Sequence, residues 1–225
     1  MAAMPDRQRT IPTSAEAAVL GLLSLHEWST YELAQQVRRS LRWFWPRAER
    51  AVYDVPKKLV AAGFATATKE WTGRRPRTVY AITDKGREGL RLWLGEESAP
   101  PSLESEAEMR IFFADSGSTE DLLAAIESVE SHAVARLRAI EVLAAEQACG
   151  VTPYPRRLAL NVLGLRGQVN RLLETLRWAR WAREQVADWP APDRAEGWSP
   201  QEVLDGMLEE IRSEVGPAEE TLDAG

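Results

Sequence analysis

The chain reads as a mainly α protein in two parts, and three features of its sequence point that way. Apolar residues recur at helical spacing along most of the 225 residues. Only between Phe64 and Thr83 does the period shorten to that of strands, which predicts a single hairpin. A Pro/Ser-rich break, "EESAPPSLES" from Glu96 to Ser105, divides a basic first part from an acidic second one.

The first helix is announced by "TSAE", with Thr13 as N-cap and Glu16 closing a capping box. Ala15, Ala18, Val19, Leu22 and Leu23 then face inward, and "HEW" ends the run. Ser29 and Glu32 in "STYE" open a second helix with Leu33, Ala34, Val37 and Leu41 inward. A third helix is expected between Pro46, suited to a first turn, and Gly63, suited to the position past a helix end. Its apolar stripe is Ala48, Val52, Val55, Leu59 and Ala62, and its other side presents Arg47, Arg50, Tyr53, Asp54, Lys57 and Lys58. Pro56 falls inside this helix, where it removes one backbone hydrogen bond and is expected to kink the helix near Val52. "FATATKEW" and "RTVYAIT" form a hairpin about "TGRRP", and Thr83 caps a helix whose Leu90 and Leu94 pack back with Ile82.

Charge divides along the same line. Residues 1–95 carry 16 Lys+Arg against 9 Asp+Glu, a balance of +7, while residues 96–225 carry 12 against 25, a balance of -13. Such asymmetry is a cue for a polyanion-binding part joined to something else. Three helices, a hairpin and a helix follow the order of a winged helix-turn-helix with a two-stranded wing. In that module the third helix enters the major groove while phosphate contacts hold its register. Arginines at a hairpin tip, here Arg74, Arg75 and Arg77, reach the backbone or the narrow minor groove. The expected partner is double-stranded DNA.

The blocks "AVLGLLSLHEWSTYELAQQV", "FWP", "AVYDVPKKLVAAGF" and "GRRPRTVYAITDKGREGLRLWL" occur in order over residues 17–94. In this they resemble the PadR family of bacterial transcriptional regulators. The resemblance implies a winged-helix DNA binder that dimerises through a C-terminal helical region, is mostly a repressor and senses small aromatic or hydrophobic compounds. It also implies that Tyr31 lies near a phosphate at the start of the second helix. Arg50, Asp54 and Lys57 would then lie on the recognition helix, and Arg74, Arg75 and Arg77 in the wing.

In the acidic part a short helix, "EAEMRIFFAD", precedes a long one whose stripe runs through Leu122, Ile126, Val129, Ala133, Leu137, Ile140 and Ala144. A second long helix spans about Arg156 to Ala187, with Val162, Leu165, Val169, Leu172, Leu176, Ala179 and Val186 in its stripe and Arg183 filling the remaining site. A repeat of about 3.5 residues kept up this long favours helices packed side by side, within one chain or between two. Two helices alone bury such stripes poorly, and a homodimer resolves the excess. From Pro190 on, 10 acidic residues face 2 basic ones, and "SPQEVLDGMLEEI" reads as a helix capped by Ser199 and Glu202. That helix docks on the dimer or competes with DNA for the basic face.

The expected organisation is a DNA-binding domain at 13–95, a linker at 96–105, a helical dimerisation domain at 106–189 and an acidic helix and tail at 190–225. Among nine tryptophans, Trp178 and Trp181 share one helix face and Trp93 ends the helix before the linker. Aromatic walls of this kind suit a small hydrophobic or aromatic effector. Catalytic and metal-ligating residues and cofactors are expected to be absent: there is no Gly-rich phosphate loop and no HExxH, and His26 and His132 stand far apart. No apolar run is long enough to span a membrane, no secretory signal is visible, and a lone Cys149 suits the reducing cytoplasm. Competing with the regulator reading are a winged helix that binds another protein and a ligand receptor without direct DNA readout.

Overall fold

The computed structural model describes residues 10–41, 45, 52–72, 75–102 and 104–216, which divide after Ser102 into two units. Both capping boxes expected in the first unit form. Thr13 N donates to Glu16 Oε2 at 2.8 Å ahead of α1 (Ser14–Leu23), and Ser29 N donates to Glu32 Oε2 at 2.8 Å ahead of α2 (Thr30–Arg39). Local sequence fixes these starts because each box satisfies backbone N–H groups that the helix itself cannot. Along α1, Leu20 is fully buried whereas Ala18, expected inward, is only half-buried. The helix is apolar almost all round, so periodicity alone placed its inner face loosely.

The third helix differs from expectation. Val52–Asp54 form a turn, and α3 begins only at Val55, spanning Val55–Ala61. Pro56 therefore sits in the first turn of a helix, where its missing N–H costs nothing, and kinks nothing. The apolar rhythm runs on through the turn because Val52 and Val55 are both buried, so periodicity alone does not show the break. At the far end α3 stops in a Schellman arrangement. Gly63 has φ 77°, Gly63 N donates to Val60 O at 3.1 Å and Phe64 N donates to Leu59 O at 2.8 Å.

The hairpin is β2 (Ala65–Thr72) paired antiparallel with β3 (Arg75–Ile82). A third strand was not anticipated: β1 (Trp28–Ser29) pairs with Tyr80 and Val79 on the free edge of β3, so the sheet order is β1-β3-β2. Two residues are too few to show a strand period. Trp28 is held there by its Nε1, which donates to Leu22 O at 3.0 Å. After Thr83, α4 (Asp84–Leu94) packs back through Ile82 and Leu90, while Leu94 is exposed rather than inward. The core of the unit gathers Leu20, Leu33 and Leu59 from α1, α2 and α3 and Phe64 from the bend before β2, all fully buried.

The second unit is helical. Ser105 caps α5 (Glu106–Phe112), and Ser118 with Asp121 forms a capping box ahead of α6 (Thr119–Ala148). After a turn the chain returns as α7 (Leu158–Val186), antiparallel to α6. Leu122, Ile126 and Val129 pack against Ala179, Ala182 and Val186. Leu176, Ala179 and Val186 are buried on α7 as expected, but at the remaining site Ala182 is the buried residue, and Arg183 instead joins Arg180 in clasping the Glu130 carboxylate, at 3.1 and 3.0 Å. Val162, expected inward, is exposed. Last comes α8 (Pro200–Val215), where Ser199 Oγ accepts from Glu202 N at 3.3 Å and no residue is buried. No helix among the described residues is long and apolar enough to cross a membrane.

Candidate nucleic-acid interface

What positions α3 is a clamp at its C-terminal end, made by the turn that leads into α4. Thr83 N donates to Phe64 O at 3.1 Å, Thr83 Oγ1 to Gly63 O at 2.8 Å and Lys85 Nζ to Ala62 O at 2.7 Å. The carbonyls that follow α3, from Ala62 to Phe64, thus all find donors, one of them a cation suited to the negative end of the helix dipole. Gly86 lies so close that a Cβ there would stand 2.1 Å from Phe64 O. Sequence reasoning identified Thr83 as a cap but not this second task, which no local pattern signals.

The exposed side of α3 carries Lys57 and Lys58, and the turn before it exposes Tyr53 and Asp54. Asp54 is the N-cap residue yet makes no side-chain capping bond, so its carboxylate faces outward. Tyr31, in the first turn of α2, is 69% exposed and accepts a hydrogen bond from Gln35 at 2.9 Å. Arg47 and Arg50 lie outside the described residues, as does Arg74. Of Arg75 only the backbone is described, paired with Thr72 at the end of the hairpin. Because α3 starts at Val55, Tyr53 and Asp54 do not share one continuous helix with Lys57 and Lys58.

Arg77 is the wing arginine whose surroundings are best defined. It stands opposite Glu70 across the β2–β3 ladder, and its Nη2 lies 2.8 Å from Glu70 Oε2. Its Nη1 lies 3.6 Å from Glu32 Oε1. A phosphate contact by Arg77 has to share the guanidinium with two carboxylates. Glu32 in turn joins the N-cap of α2 to the root of the wing. Hydrogen bonds from the Ser29 side chain and backbone hold its carboxyl below the ordinary value of 4.5, and the charges of Arg77 and His26 add to the effect.

A carboxylate with a depressed folded pKa contributes stability that is present above its unfolded value and lost as pH falls through the folded one. Glu32→Gln keeps the cap geometry but removes the titration. Its urea midpoint should match the wild type's acid-state behaviour and vary less below about pH 4.5. A difference from wild type that stays constant from about pH 7 to about pH 3 would contradict this.

The three tryptophans singled out from the sequence do not lie in one unit. Trp93 is half-buried in α4, whereas Trp178 and Trp181 lie on α7, 37% and 40% exposed. A shallow cleft of about 180 Å³ in the first unit is lined by Leu23–Glu27, Ala81, Ile82 and Arg87 and includes none of them. Among the described residues no three of His, Cys, Asp and Glu cluster as metal ligands.

Comparison with known proteins places this geometry. The PadR-like transcriptional regulator family model matches residues 19–92, and the model of the virulence activator alpha C-terminal region matches 105–187. Over residues 19–92 the chain is similar to the PadR-like family of transcriptional regulators. That is a regulator family and not an enzyme family. The negative transcriptional regulator PadR of Bacillus subtilis is 30% identical over 98 residues, 43% of this chain and 54% of that protein. The chain spans about half the length of the curated relatives it matches. Bacillus subtilis PadR in complex with operator DNA shares the fold at TM-score 0.66 and 22% identity, covering 77% of this chain and 99% of the other. The same regulator in complex with p-coumaric acid aligns at TM-score 0.59 and 21% identity, covering 83% and 99%. This PadR-like chain is thus mainly α, with a winged helix in its first unit and helices in its second.

Proposed function

We propose that the chain is a homodimeric, sequence-specific DNA-binding repressor, released from a roughly palindromic operator by a small hydrophobic or aromatic ligand. One observation carries the DNA-binding part. A short helix whose C-terminal end is clamped presents Lys57 and Lys58 in a unit of net basic charge that also carries an arginine-rich hairpin. Such a helix suits the major groove, with Tyr31 and the wing arginines Arg74, Arg75 and Arg77 on the backbone or in the minor groove. Likeness to a regulator solved with operator DNA supports the same reading.

A two-fold dimer presents one α3 per half-site, so half-sites are expected about 10 bp apart or at a multiple of that. The negative sign of regulation follows the name of the Bacillus subtilis relative. The effector follows the complex of its structural neighbour with p-coumaric acid, and Trp178 and Trp181 are its proposed contacts. Titrating DNA from the gene's own upstream region in a gel shift with excess competitor tests the core of the proposal. Retention of a discrete dimer complex is expected, and binding that competitor abolishes stoichiometrically would leave only non-specific affinity. Adding p-coumaric acid to the complex should release the DNA and quench tryptophan emission saturably. DNA that stays bound at saturation removes the effector and leaves the DNA reading standing.

A further inference from the structure

The outer surface of α3 is not uniformly basic. Asp54, Lys57 and Ala61 are exposed and advance by steps of three and four, while Val55, Leu59 and Ala62 are buried against the core. Asp54 precedes the helix proper, yet its backbone angles are helical, φ -106° and ψ -35°, and its carbonyl accepts from Lys58 N at 3.2 Å. It therefore follows the helical screw, about 60° round from Lys57 and nearly one turn before it.

Nothing inside the chain uses the Asp54 carboxylate. An N-cap side chain ordinarily accepts from the backbone N–H of the second or third helical residue. The second is Pro56, which has no N–H, and the third, Lys57, makes no such bond. Among the described residues no ion pair joins Asp54 to Lys57 or Lys58 either. A free carboxylate is thus displayed on a surface that otherwise carries positive charge.

Against DNA a carboxylate opposes binding unless it has a specific use. Turned to the backbone, it meets phosphates of its own sign. In the major groove it is selective, because an ionised carboxylate only accepts hydrogen bonds. Guanine offers acceptors alone, thymine an acceptor and a methyl group, and adenine sets the acceptor N7 beside its amino group. Cytosine presents an amino donor with no acceptor next to it on the same base. Lys57 is the converse, a donor only, which suits O6 and N7 of guanine. Three residues of helix rise about 4.5 Å and one base step about 3.4 Å, so the two side chains are spaced for neighbouring base pairs. Ala61, the next residue of the row, is small enough to let α3 come close.

We propose that Asp54 is a specificity-determining residue: its carboxylate accepts a hydrogen bond from the N4 amino group of a cytosine in each half-site, beside the base pair where Lys57 donates to a guanine. The inference rests on the DNA-binding reading and gives that reading a base preference. It makes a negative residue part of the discrimination, since the same carboxylate weakens binding to every sequence that offers it no donor.

Selection of full-chain complexes from a pool of random-sequence duplexes, with sequencing of the bound DNA, tests it. The wild type should enrich a motif with a cytosine and a guanine at neighbouring base pairs of each half-site. Asp54→Asn keeps the size of the side chain but adds a donor, and an amide pairs with N6 and N7 of adenine. The enriched base at that position should therefore change from cytosine to adenine. Asp54→Ala should enrich no base there above its level in the pool. In titrations with defined duplexes the wild type should prefer cytosine to adenine at that position by about tenfold, and Asp54→Asn should reverse the order. Because Asp54 makes no side-chain bond inside the chain, both variants should keep the wild-type urea midpoint and the guanine at the neighbouring position. A wild type that enriches no motif overturns the DNA reading together with this assignment. A wild-type motif that both variants leave unchanged overturns the assignment alone. So does a uniform gain in affinity for all duplexes in Asp54→Ala, which would set the carboxylate against phosphates.

Discussion

Gly86→Ala should destabilise the winged-helix unit by about 3 kcal/mol, and most of the cost is steric. The new Cβ would stand 2.1 Å from Phe64 O, 3.0 Å from Phe64 C and 2.8 Å from Ile82 Cγ1. Two of those atoms are backbone and cannot swing aside. Relief requires moving α4 off the end of α3, and with it go the bonds of Thr83 and Lys85 to Phe64, Gly63 and Ala62. Against this the helix gains only about 1 kcal/mol in propensity from alanine. Gly21→Ala in α1 is the matched control: nothing lies within 4 Å of its Cβ position, so it should be neutral or stabilising by up to about 1 kcal/mol. Urea melts of the two variants should move in opposite directions. Equal midpoints would mean that the close approach at Phe64 relaxes cheaply, and the clamp would lose its energetic basis.

The same substitution bears on function through position alone. No atom of Gly86 is proposed to touch DNA, yet the clamp it permits fixes the end of the helix that carries Lys57 and Lys58. Affinity for operator should therefore fall in Gly86→Ala even at temperatures where the unit remains folded. A side chain that contacts DNA directly would weaken binding without moving the urea midpoint, and that separates the two kinds of residue.

How far sequence alone reaches is set by the range of the interaction concerned. Thr13 with Glu16 and Ser29 with Glu32 are three residues apart, so their capping boxes could be read directly. Gly63 was legible as a helix end for the same reason, since a left-handed φ there is a local demand. The start of α3 was not: burial of Val52 and Val55 carries the helical rhythm across a turn, and Pro56 was the one residue that marked the boundary. Strand β1 exists because Tyr80 and Val79 offer it a partner, a tertiary cause with no trace in two residues. At the site, the lysines of α3 and the arginines of the wing could be named from charge and order. That Arg77 faces Glu70 and Glu32 follows from strand register and from the approach of α2, which no single stretch of sequence contains. On α7 a one-residue slip exchanged Arg183 for Ala182, since a stripe broad enough for a helix leaves its edge undetermined.

Lys57 and Lys58 should fail in different ways when each is replaced by alanine. Both are exposed on α3, but adjacent helical residues point about 100° apart, so one groove floor cannot receive both. Lys57 is the one assigned to base edges. Lys57→Ala should relax preference at one base position of each half-site by about 1–3 kcal/mol, roughly five- to 150-fold, and leave binding to unrelated DNA much less affected. With Lys57 on base edges, Lys58 is expected to meet a phosphate. Its replacement should weaken specific and non-specific binding by similar factors and lower the slope of log K against log salt by about one per chain, hence about two per dimer. Isotherms on operator and scrambled DNA at several salt concentrations read both quantities at once. Should Lys57→Ala change affinity for the two DNAs by the same factor, α3 would be gripping the backbone, and sequence would have to be read elsewhere in the unit. Should Lys58→Ala leave the salt slope untouched, that lysine would stand clear of the duplex, and the angle at which α3 enters the groove would have to turn toward Tyr53 and Asp54.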